Sequence, residues 1–367
     1  MYPNLFQKVE DVSENNLHPK FKLLRDNVFL VGEREILINW TDGFIDRDNK
    51  IIKEFQTTFH SSFWEFYLFK VFKELGFEID FTKDRPDFII DSPVRILIEA
   101  VVSNVKKDGR DESTRNSDDV SSMMVPIPLQ EDFYKVLDES IVRNSNAILS
   151  KSTKYLEKYL KCDWVNDKTP FVIALSSYDQ VNYGREYFYP MLALLYGLYF
   201  IPQSDSYESK ESIIKPGTNS NIPIGLFKNN SLEHISAIIF SCSTTLGKLT
   251  SLSISEKDSH IQQNRVINIR NDYEPPHYKT HVVSIENPEY LTDGLFIFHN
   301  PFAKNKLDEK IFAKSNATQI IPEKGTLRFE GENTPIYSRL NLPKFMVNDY
   351  LIEAICRDFN SFTKYKS

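Results

Sequence analysis

The segment spanning residues 54–102 constrains the fold of this chain more than any other. Its first part is aromatic and apolar at three- and four-residue spacing, which predicts a helix that begins at Thr57 or Thr58 and ends near Leu75. Gly76 stands where helices commonly end on a left-handed glycine. A short apolar strand and a polar turn follow. The segment therefore predicts a helix that leads directly into β-strands.

Two apolar runs, 87–90 and 94–102, come next, and the polar turn between them predicts a β-hairpin. Pairing about this turn brings Asp87 opposite Ile98, to within one or two residues, so that Asp87 and Glu99 lie close together. Burying a carboxylate costs free energy unless it is paired or bound to a cation. Two carboxylates brought together suit a hard divalent ion such as Mg²⁺.

The rest of the chain predicts further alternation of helices and strands. The predicted elements are strands within 27–40, a helix at 130–161, a strand at 170–175, a helix at 186–200, a strand at 234–240, strands near 281–285 and 294–299, and a helix at 348–359. In chain order the central part has a helix, three strands, a helix, a strand, a helix and a strand. This order predicts an α/β fold with a mixed sheet and helices on both faces.

Composition excludes several classes of protein. With 367 residues and 41% hydrophobic residues the chain is not disordered, and no apolar run approaches the ~20 residues of a membrane helix. The start of the sequence lacks the pattern of a signal peptide, and Cys162, Cys242 and Cys356 are too scattered for a disulfide framework or a zinc site. We therefore expect a cytoplasmic protein without membrane contact. The net charge of −7 excludes a histone-like polycation but not a nucleic-acid enzyme, whose field is local.

The order of the carboxylates resembles a known signature. A helical Glu, then Pro-Asp, then about a dozen residues to Glu-x-Lys is typical of the PD-(D/E)XK phosphodiesterase superfamily. The matching residues are Glu65, Pro86 with Asp87, and Glu99 with Val101 at the lysine position. The predicted order of helices and strands also agrees with the core of that superfamily. The resemblance covers roughly 54–176, under half of the chain.

The resemblance implies a restriction-endonuclease-like core at 51–245, with an N-terminal extension at 1–50 and a C-terminal extension at 246–367. It implies a metal-dependent endonuclease that acts on nucleic acid, with DNA as the expected substrate and bacterial antiviral defence as the expected role. Asp87 and Glu99, supported by Glu65, would bind Mg²⁺ or Mn²⁺. The metal would polarise the phosphate and lower the pKa of a bound water.

Val101 departs from this signature, because a lysine is expected on the strand face that it shares with Glu99. The helix at 130–161 offers a replacement: Lys151 lies at its rim beside Asn144, so we predict Lys151 as the catalytic lysine. Lys106 and Lys107, just beyond the strand, are alternatives. The residues predicted to contact nucleic acid are Lys106, Lys107, Asn144, Lys154 and Lys158.

An apolar stripe sets the phase of this predicted helix. Val142, Leu149, Leu156 and Leu160 form the stripe, which Ile141, Ile148 and Tyr159 widen, and this apolar face is expected to face the core. Lys154 and Lys158 then lie on the opposite, solvated side. Lys151 lies at the rim between the two sides, from which a side chain can reach across toward a sheet edge.

Val101 also supports a second hypothesis, in which the chain is a catalytically inactive nuclease-like module that binds nucleic acid or a protein partner. The segment 243–248 resembles a phosphate-binding loop, but Cys242 and Leu249 stand at positions that require Gly and Ser or Thr. Nucleotide binding is therefore not predicted there. The sequence leaves open whether the substrate is DNA or RNA, whether the chain forms homo-oligomers, and whether it has a protein partner in a defence system.

Overall fold

The computed structural model describes residues 5–105, 109–110, 112–256, 262–272 and 274–362. Its helices are α1 (Pro19–Asp26), α2 (Val31–Thr41), α3 (Ile51–Thr57), α4 (His60–Glu74), α5 (Ser117–Ser122), α6 (Phe133–Glu157), α7 (Tyr189–Tyr196), α8 (Leu246–Glu256) and α9 (Asp349–Ser361). Its strands are β1 (Glu78–Ile79), β2 (Phe88–Ser92), β3 (Ile96–Asn104), β4 (Phe171–Tyr178), β5 (Leu198–Ile201), β6 (Ser206–Ser209), β7 (Ser212–Ile214), β8 (Asn221–Pro223), β9 (Ala237–Ser241), β10 (Asn264–Asn271), β11 (Tyr278–Val282), β12 (Phe296–His299), β13 (Thr318–Glu323), β14 (Thr326–Glu330) and β15 (Ile336–Pro343). Within these described ranges no helix is both long and apolar enough to cross a membrane.

The main sheet is mixed and has the strand order β1-β2-β3-β4-β9-β12-β13-β14. The β3–β4 and β4–β9 pairs are parallel, whereas β2–β3 and β9–β12 are antiparallel. Alternate residues of β3 face opposite sides, so Leu97 joins the core under α6 and α7 while Ile98 joins the core under α4. The predicted α/β fold, with a mixed sheet and helices on both faces, is confirmed.

The strands predicted within 27–40 are wrong, because this segment forms α2. Its buried residues Glu33, Ile36, Leu37 and Trp40 recur three and four positions apart, which is the period of a helix. The helix packs on α4 and α8. The segment predicted as an N-terminal extension therefore contributes to the same core as the sheet.

The main sheet also continues past the boundary predicted at residue 245. Strands β12, β13 and β14 extend it beyond β9, while β11, β10 and β15 form a separate antiparallel sheet. The strands predicted near 281–285 and 294–299 correspond to β11 and β12. The predicted C-terminal helix is α9, whose N-terminus is capped by Asn348 Oδ1 accepting from the Leu351 amide at 2.9 Å.

The helix predicted from Thr57 or Thr58 to near Leu75 corresponds to α4, which starts two or three residues later. Thr57 ends α3, and α4 begins at His60 after Phe59, whose φ of 55° turns the chain between the two helices. The predicted threonine cap is therefore wrong. The C-terminal prediction is confirmed, because Gly76 follows α4 with a φ of 75°, in the left-handed region that glycine adopts without a steric cost.

Candidate active site

The hairpin of β2 and β3 brings Asp87 and Glu99 together. Phe88 pairs with Ile98, one residue from the register predicted above, and continuing this register sets Asp87 opposite Glu99. Asp87 directly precedes β2, and its Oδ2 accepts from the Ala100 amide at 2.7 Å. The backbone of β3 therefore fixes the Asp87 carboxylate at the edge of the hairpin.

Glu99 is fully buried, and three side chains from the following helical segment reach it. Its Oε1 accepts from Lys151 Nζ at 2.6 Å and from Lys154 Nζ at 2.7 Å, and its Oε2 accepts from the Tyr159 hydroxyl at 2.6 Å. Burial opposes ionisation of Glu99, but the two ammonium groups and the hydroxyl outweigh it and lower its pKa. Glu99 is thus a charged carboxylate with both oxygens engaged.

Lys151 of α6 therefore reaches β3 at Glu99, on the strand that carries Val101. Val101 is half-buried and packs against the core under α6, so the strand itself supplies no charge there. Lys154, predicted on the solvated side of the helix, also turns toward Glu99, because residues three apart share a helix face. The structure brings Lys151 and Lys154 together at Glu99.

The predicted phase of this helix is right for Ile141, Val142, Ile148 and Tyr159, which are buried, but wrong for the three leucines of the stripe. Leu149, Leu156 and Leu160 are 38%, 45% and 38% exposed, so they do not form the core stripe. The buried face of α6 instead carries the residues Phe133, Val136, Leu137, Ser140, Ile141, Val142, Asn144, Ser145, Ile148, Ser152 and Tyr155. Several of these are small polar residues, which hide the face from a hydrophobicity pattern.

Asn144 belongs to that buried face and not to a nucleic-acid surface. It is fully buried, and its Nδ2 lies 3.6 Å from Met191 Sδ. The prediction that Asn144 contacts nucleic acid is therefore wrong for this structure. Lys158 is exposed just beyond α6, and Lys106 and Lys107 lie outside the described residues.

Glu65 approaches the hairpin from the other face of the sheet. Its helix α4 is anchored by Trp64, whose indole N–H donates to the Ala174 carbonyl of β4 at 2.9 Å. Burial raises the pKa of Glu65 well above its usual range, and the charge of Asp87 adds to this. Burial likewise raises the pKa of Asp87 to about 6, with a contribution from Glu99. Glu65, Asp87 and Glu99 thus feel one another's charge.

Arg47 is a positioning residue that the sequence did not reveal. Its guanidinium donates to the backbone carbonyls of Lys83, of Pro86 at 3.1 Å and of Asp87 at 2.8 Å. These bonds hold the loop that carries Asp87 against the N-terminal part of the chain. Arg47 belongs to no motif and lies forty residues before Asp87, so no local pattern could have indicated it.

Some of the carboxylate oxygens of the site are available to a divalent cation. Among the described residues no group of three or more His, Cys, Asp or Glu side chains is arranged to hold a metal. Mg²⁺, however, commonly uses one or two carboxylates and completes its octahedron with water and substrate phosphate. In the part of the chain that the structure describes, Glu65 has no hydrogen-bond partner, and Asp87 accepts a hydrogen bond through one oxygen only. Asp87 and Glu65 are therefore the fitting ligands, while Glu99 would first have to release a lysine or Tyr159.

Searches against protein families, curated proteins and solved structures find no match to this chain. The function is therefore inferred from the residues of the site and from their geometry.

Burial raises the pKa of the Asp87 carboxyl to about 6. We therefore expect the Mn²⁺ binding that depends on Asp87 to weaken as the pH falls through about 6. Below that pH the neutral form dominates and the metal must displace a proton, so affinity falls by about tenfold per pH unit. Mn²⁺ titrations of wild type and Asp87→Asn between pH 5 and 8 measure the difference between the two proteins. If the difference in Mn²⁺ affinity between the two proteins were the same at pH 5 and pH 7, this would contradict the assignment of Asp87 as a metal ligand.

Proposed function

We propose that this protein is a metal-dependent endonuclease that cuts DNA, as the sequence resemblance implies. The observation that carries the proposal is the ion pair of 2.6 Å between Lys151 Nζ and Glu99 Oε1, next to Asp87. A cation supplied by α6 compensates for the valine at position 101. In this proposal the enzyme works in the cytoplasm, in bacterial antiviral defence.

Each side chain of the site then has a separate task. Asp87 and Glu65 would hold the cation, which when bound polarises a phosphate and lowers the pKa of its water. Lys151, oriented by Glu99, would stabilise the negative charge that develops on the phosphate. Arg47 keeps Asp87 in position through the carbonyl bonds of its loop.

Positive charge beside the site would hold the nucleic-acid backbone. Lys158 is exposed at the end of α6, and Lys154 is partly exposed above the Tyr159 ring, 5.3 Å from its centroid. Contacts of this kind position a phosphate backbone without reading its sequence. They are compatible with DNA and with RNA, so both substrates belong in the test.

A second candidate function is a catalytically inactive nuclease-like module that binds nucleic acid or a protein partner. The specific observation in its favour is that Lys151, Lys154 and Tyr159 engage both oxygens of Glu99. A carboxylate saturated in this way has no oxygen free for a metal. In this alternative the site is a structural ion-pair cluster.

Digestion of plasmid and of DNA and RNA oligonucleotides with Mg²⁺ or Mn²⁺ separates the two functions. We expect wild type to cut and Asp87→Ala and Glu99→Ala to lose at least about 100-fold in rate, because charge stabilisation of this kind is worth that much. Glu353→Ala, an exposed carboxylate of α9, is the matched control and should cut normally. Equal cleavage by all four proteins would remove the assigned site, and no cleavage by wild type would favour the inactive module.

A further inference from the structure

A second pair of carboxylates lies at the far end of β4. Asp179 directly follows this strand, and Glu186 lies in the loop that leads to α7. In the β3–β4 ladder Glu99 pairs with Ile173, and Asp179 lies six residues farther along the chain. At about 3.3 Å per residue the two sites are about 20 Å apart along the strand. The pair is therefore separate from the candidate active site.

Both of these carboxylates are buried, and within the described part of the chain neither of them forms an ion pair. Glu186 is 2% exposed and Asp179 is 8% exposed. Both oxygens of Glu186 and Oδ2 of Asp179 make no hydrogen bond within the described ranges, while Asp179 Oδ1 accepts from Ser177 Oγ at 3.2 Å. Buried oxygens of this kind cost free energy unless a proton or a cation joins them.

The two acids also act on each other. Burial raises the pKa of Glu186 well above its usual range, and the charge of Asp179 adds to this. Burial raises the pKa of Asp179 to about 6, against the opposing effects of hydroxyl groups and of Arg143. A cation between them would relieve both effects.

A third oxygen donor comes from a different element. Ser140 of α6 is fully buried, and its hydroxyl lies close enough to Asp179 to favour the charged form. The same hydroxyl makes no well-formed hydrogen bond with any residue in the described part of the chain. Buried oxygens without a hydrogen-bond partner are thus present on α6, at the end of β4 and in the loop before α7.

A cavity of about 360 Å³ gives solvent access to Asp179, one of the two carboxylates. Asp179 and Val105 are among its lining residues, which places the cavity outside the carboxyl ends of β3 and β4. Open α/β sheets bind ligands in such crevices. Two of the cations in the cavity wall, Arg110 and Arg185, are already paired with aspartates, so they do not occupy the Asp179 carboxylate.

We propose that Asp179 and Glu186 bind a hard divalent cation, Mg²⁺ or Mn²⁺, with the Ser140 hydroxyl and water from the cavity completing its coordination. Mg²⁺ commonly binds one or two carboxylates and keeps several waters in its coordination shell. The nearby Cys242 does not direct the site to zinc. Burial, together with the charges of Glu186 and Asp179, raises the pKa of its thiol, and zinc requires the thiolate.

Mn²⁺ binding followed by electron paramagnetic resonance and by thermal unfolding tests this site independently of the proposed nuclease. In Asp87→Asn, whose candidate active site lacks a ligand, one Mn²⁺ is expected to remain bound and to raise the unfolding temperature. The double variant Asp87→Asn with Glu186→Gln is expected to lose both effects. Asp87→Asn with Glu353→Gln, an exposed glutamate, is the matched control and should retain them.

A second variant keeps the test decisive if Glu186→Gln does not fold. Asp179→Asn in the Asp87→Asn background is expected to bind Mn²⁺ at least tenfold more weakly, because one of two charged ligands is lost. The proposal would be overturned if neither Glu186→Gln nor Asp179→Asn changed the Mn²⁺ affinity or the unfolding temperature. In that case the two carboxyl groups share protons instead of a metal.

Discussion

Lys151→Ala is expected to slow DNA cleavage by roughly 100- to 1,000-fold without lowering the affinity for Mn²⁺. The reason is that the lysine ammonium faces the reacting phosphate in the proposed mechanism, whereas the metal is held by carboxylates. Loss of the lysine removes one of the two ammonium groups on Glu99 Oε1, at 2.6 Å, and leaves Lys154 on the same oxygen. Single-turnover cleavage rates and Mn²⁺ titrations of the same protein measure the two effects separately.

Two other lysines serve as controls for this result. Lys154 reaches the same oxygen at 2.7 Å, and Lys158 is exposed and makes no such contact. Lys158→Ala should lose only the binding contribution of one phosphate contact. If Lys151→Ala cut at the rate of wild type while Lys154→Ala did not, the catalytic role would belong to Lys154. If both cut normally, neither lysine would replace the missing motif residue.

Glu289→Ala is expected to have the largest effect on stability, a loss of about 3–5 kcal/mol in the free energy of unfolding. Its buried carboxylate contacts Lys248 Nζ at 2.9 Å, Arg339 Nη2 at 2.5 Å and Asn268 Nδ2 at 2.8 Å, and Ser251 Oγ donates to it. Removing the carboxylate leaves two buried cations without their counter-ion. The contacts join α8, β10 and β15, so their loss weakens the packing of the second sheet.

Urea unfolding measures this loss, with the exposed Glu286→Ala as the matched control. Burial opposes ionisation of Glu289, but Arg339 and Lys248 outweigh it and lower its pKa. The stabilisation is therefore present above the unfolded-state pKa of about 4.3 and is lost as the pH falls below it. A loss of less than about 1 kcal/mol at pH 7, the range of an exposed ion pair, would contradict the stabilising role of this cluster.

Lys248, the lysine of the phosphate-loop-like segment 243–248, is held by other groups of the protein. Its side chain is fully buried, and besides Glu289 it donates to the carbonyls of Tyr290 at 3.0 Å and of Asp293 at 2.7 Å. A lysine satisfied in this way is not available to a phosphate. The missing glycine and hydroxyl residues in the sequence were a sufficient indication.

The local parts of the candidate site could be predicted from the sequence. Asp87 and Glu99 belong to one hairpin with a short turn, so their pairing was predictable to within one residue. Lys151 was predicted at the rim of the helix, and it lies there, partly exposed beside the buried Ser152 and Tyr155, with its ammonium at Glu99. The predicted phase of α6 was shifted because its buried face includes Ser140, Asn144 and Ser152, whereas two of its leucines, Leu149 and Leu156, are exposed.

The non-local parts could not be predicted. The addition of β12, β13 and β14 to the main sheet depends on the pairing of β9 with β12, which no short segment encodes. Arg47 acts through backbone carbonyls and therefore leaves no residue pattern. Tyr159 was predicted as part of an apolar face, yet its hydroxyl donates to Glu99, because a tyrosine buries its ring and still needs a partner for its polar end.

A crystal structure of the protein grown with Mn²⁺, measured at an energy where manganese scatters anomalously, tests the central claim most directly. The account predicts an anomalous peak within coordination distance of Asp87 and Glu65, with Lys151 Nζ still at Glu99 and facing the same space. A peak at Asp179 and Glu186 alone, or no peak beside Asp87 at a saturating concentration of Mn²⁺, would contradict a metal-dependent active site at this hairpin.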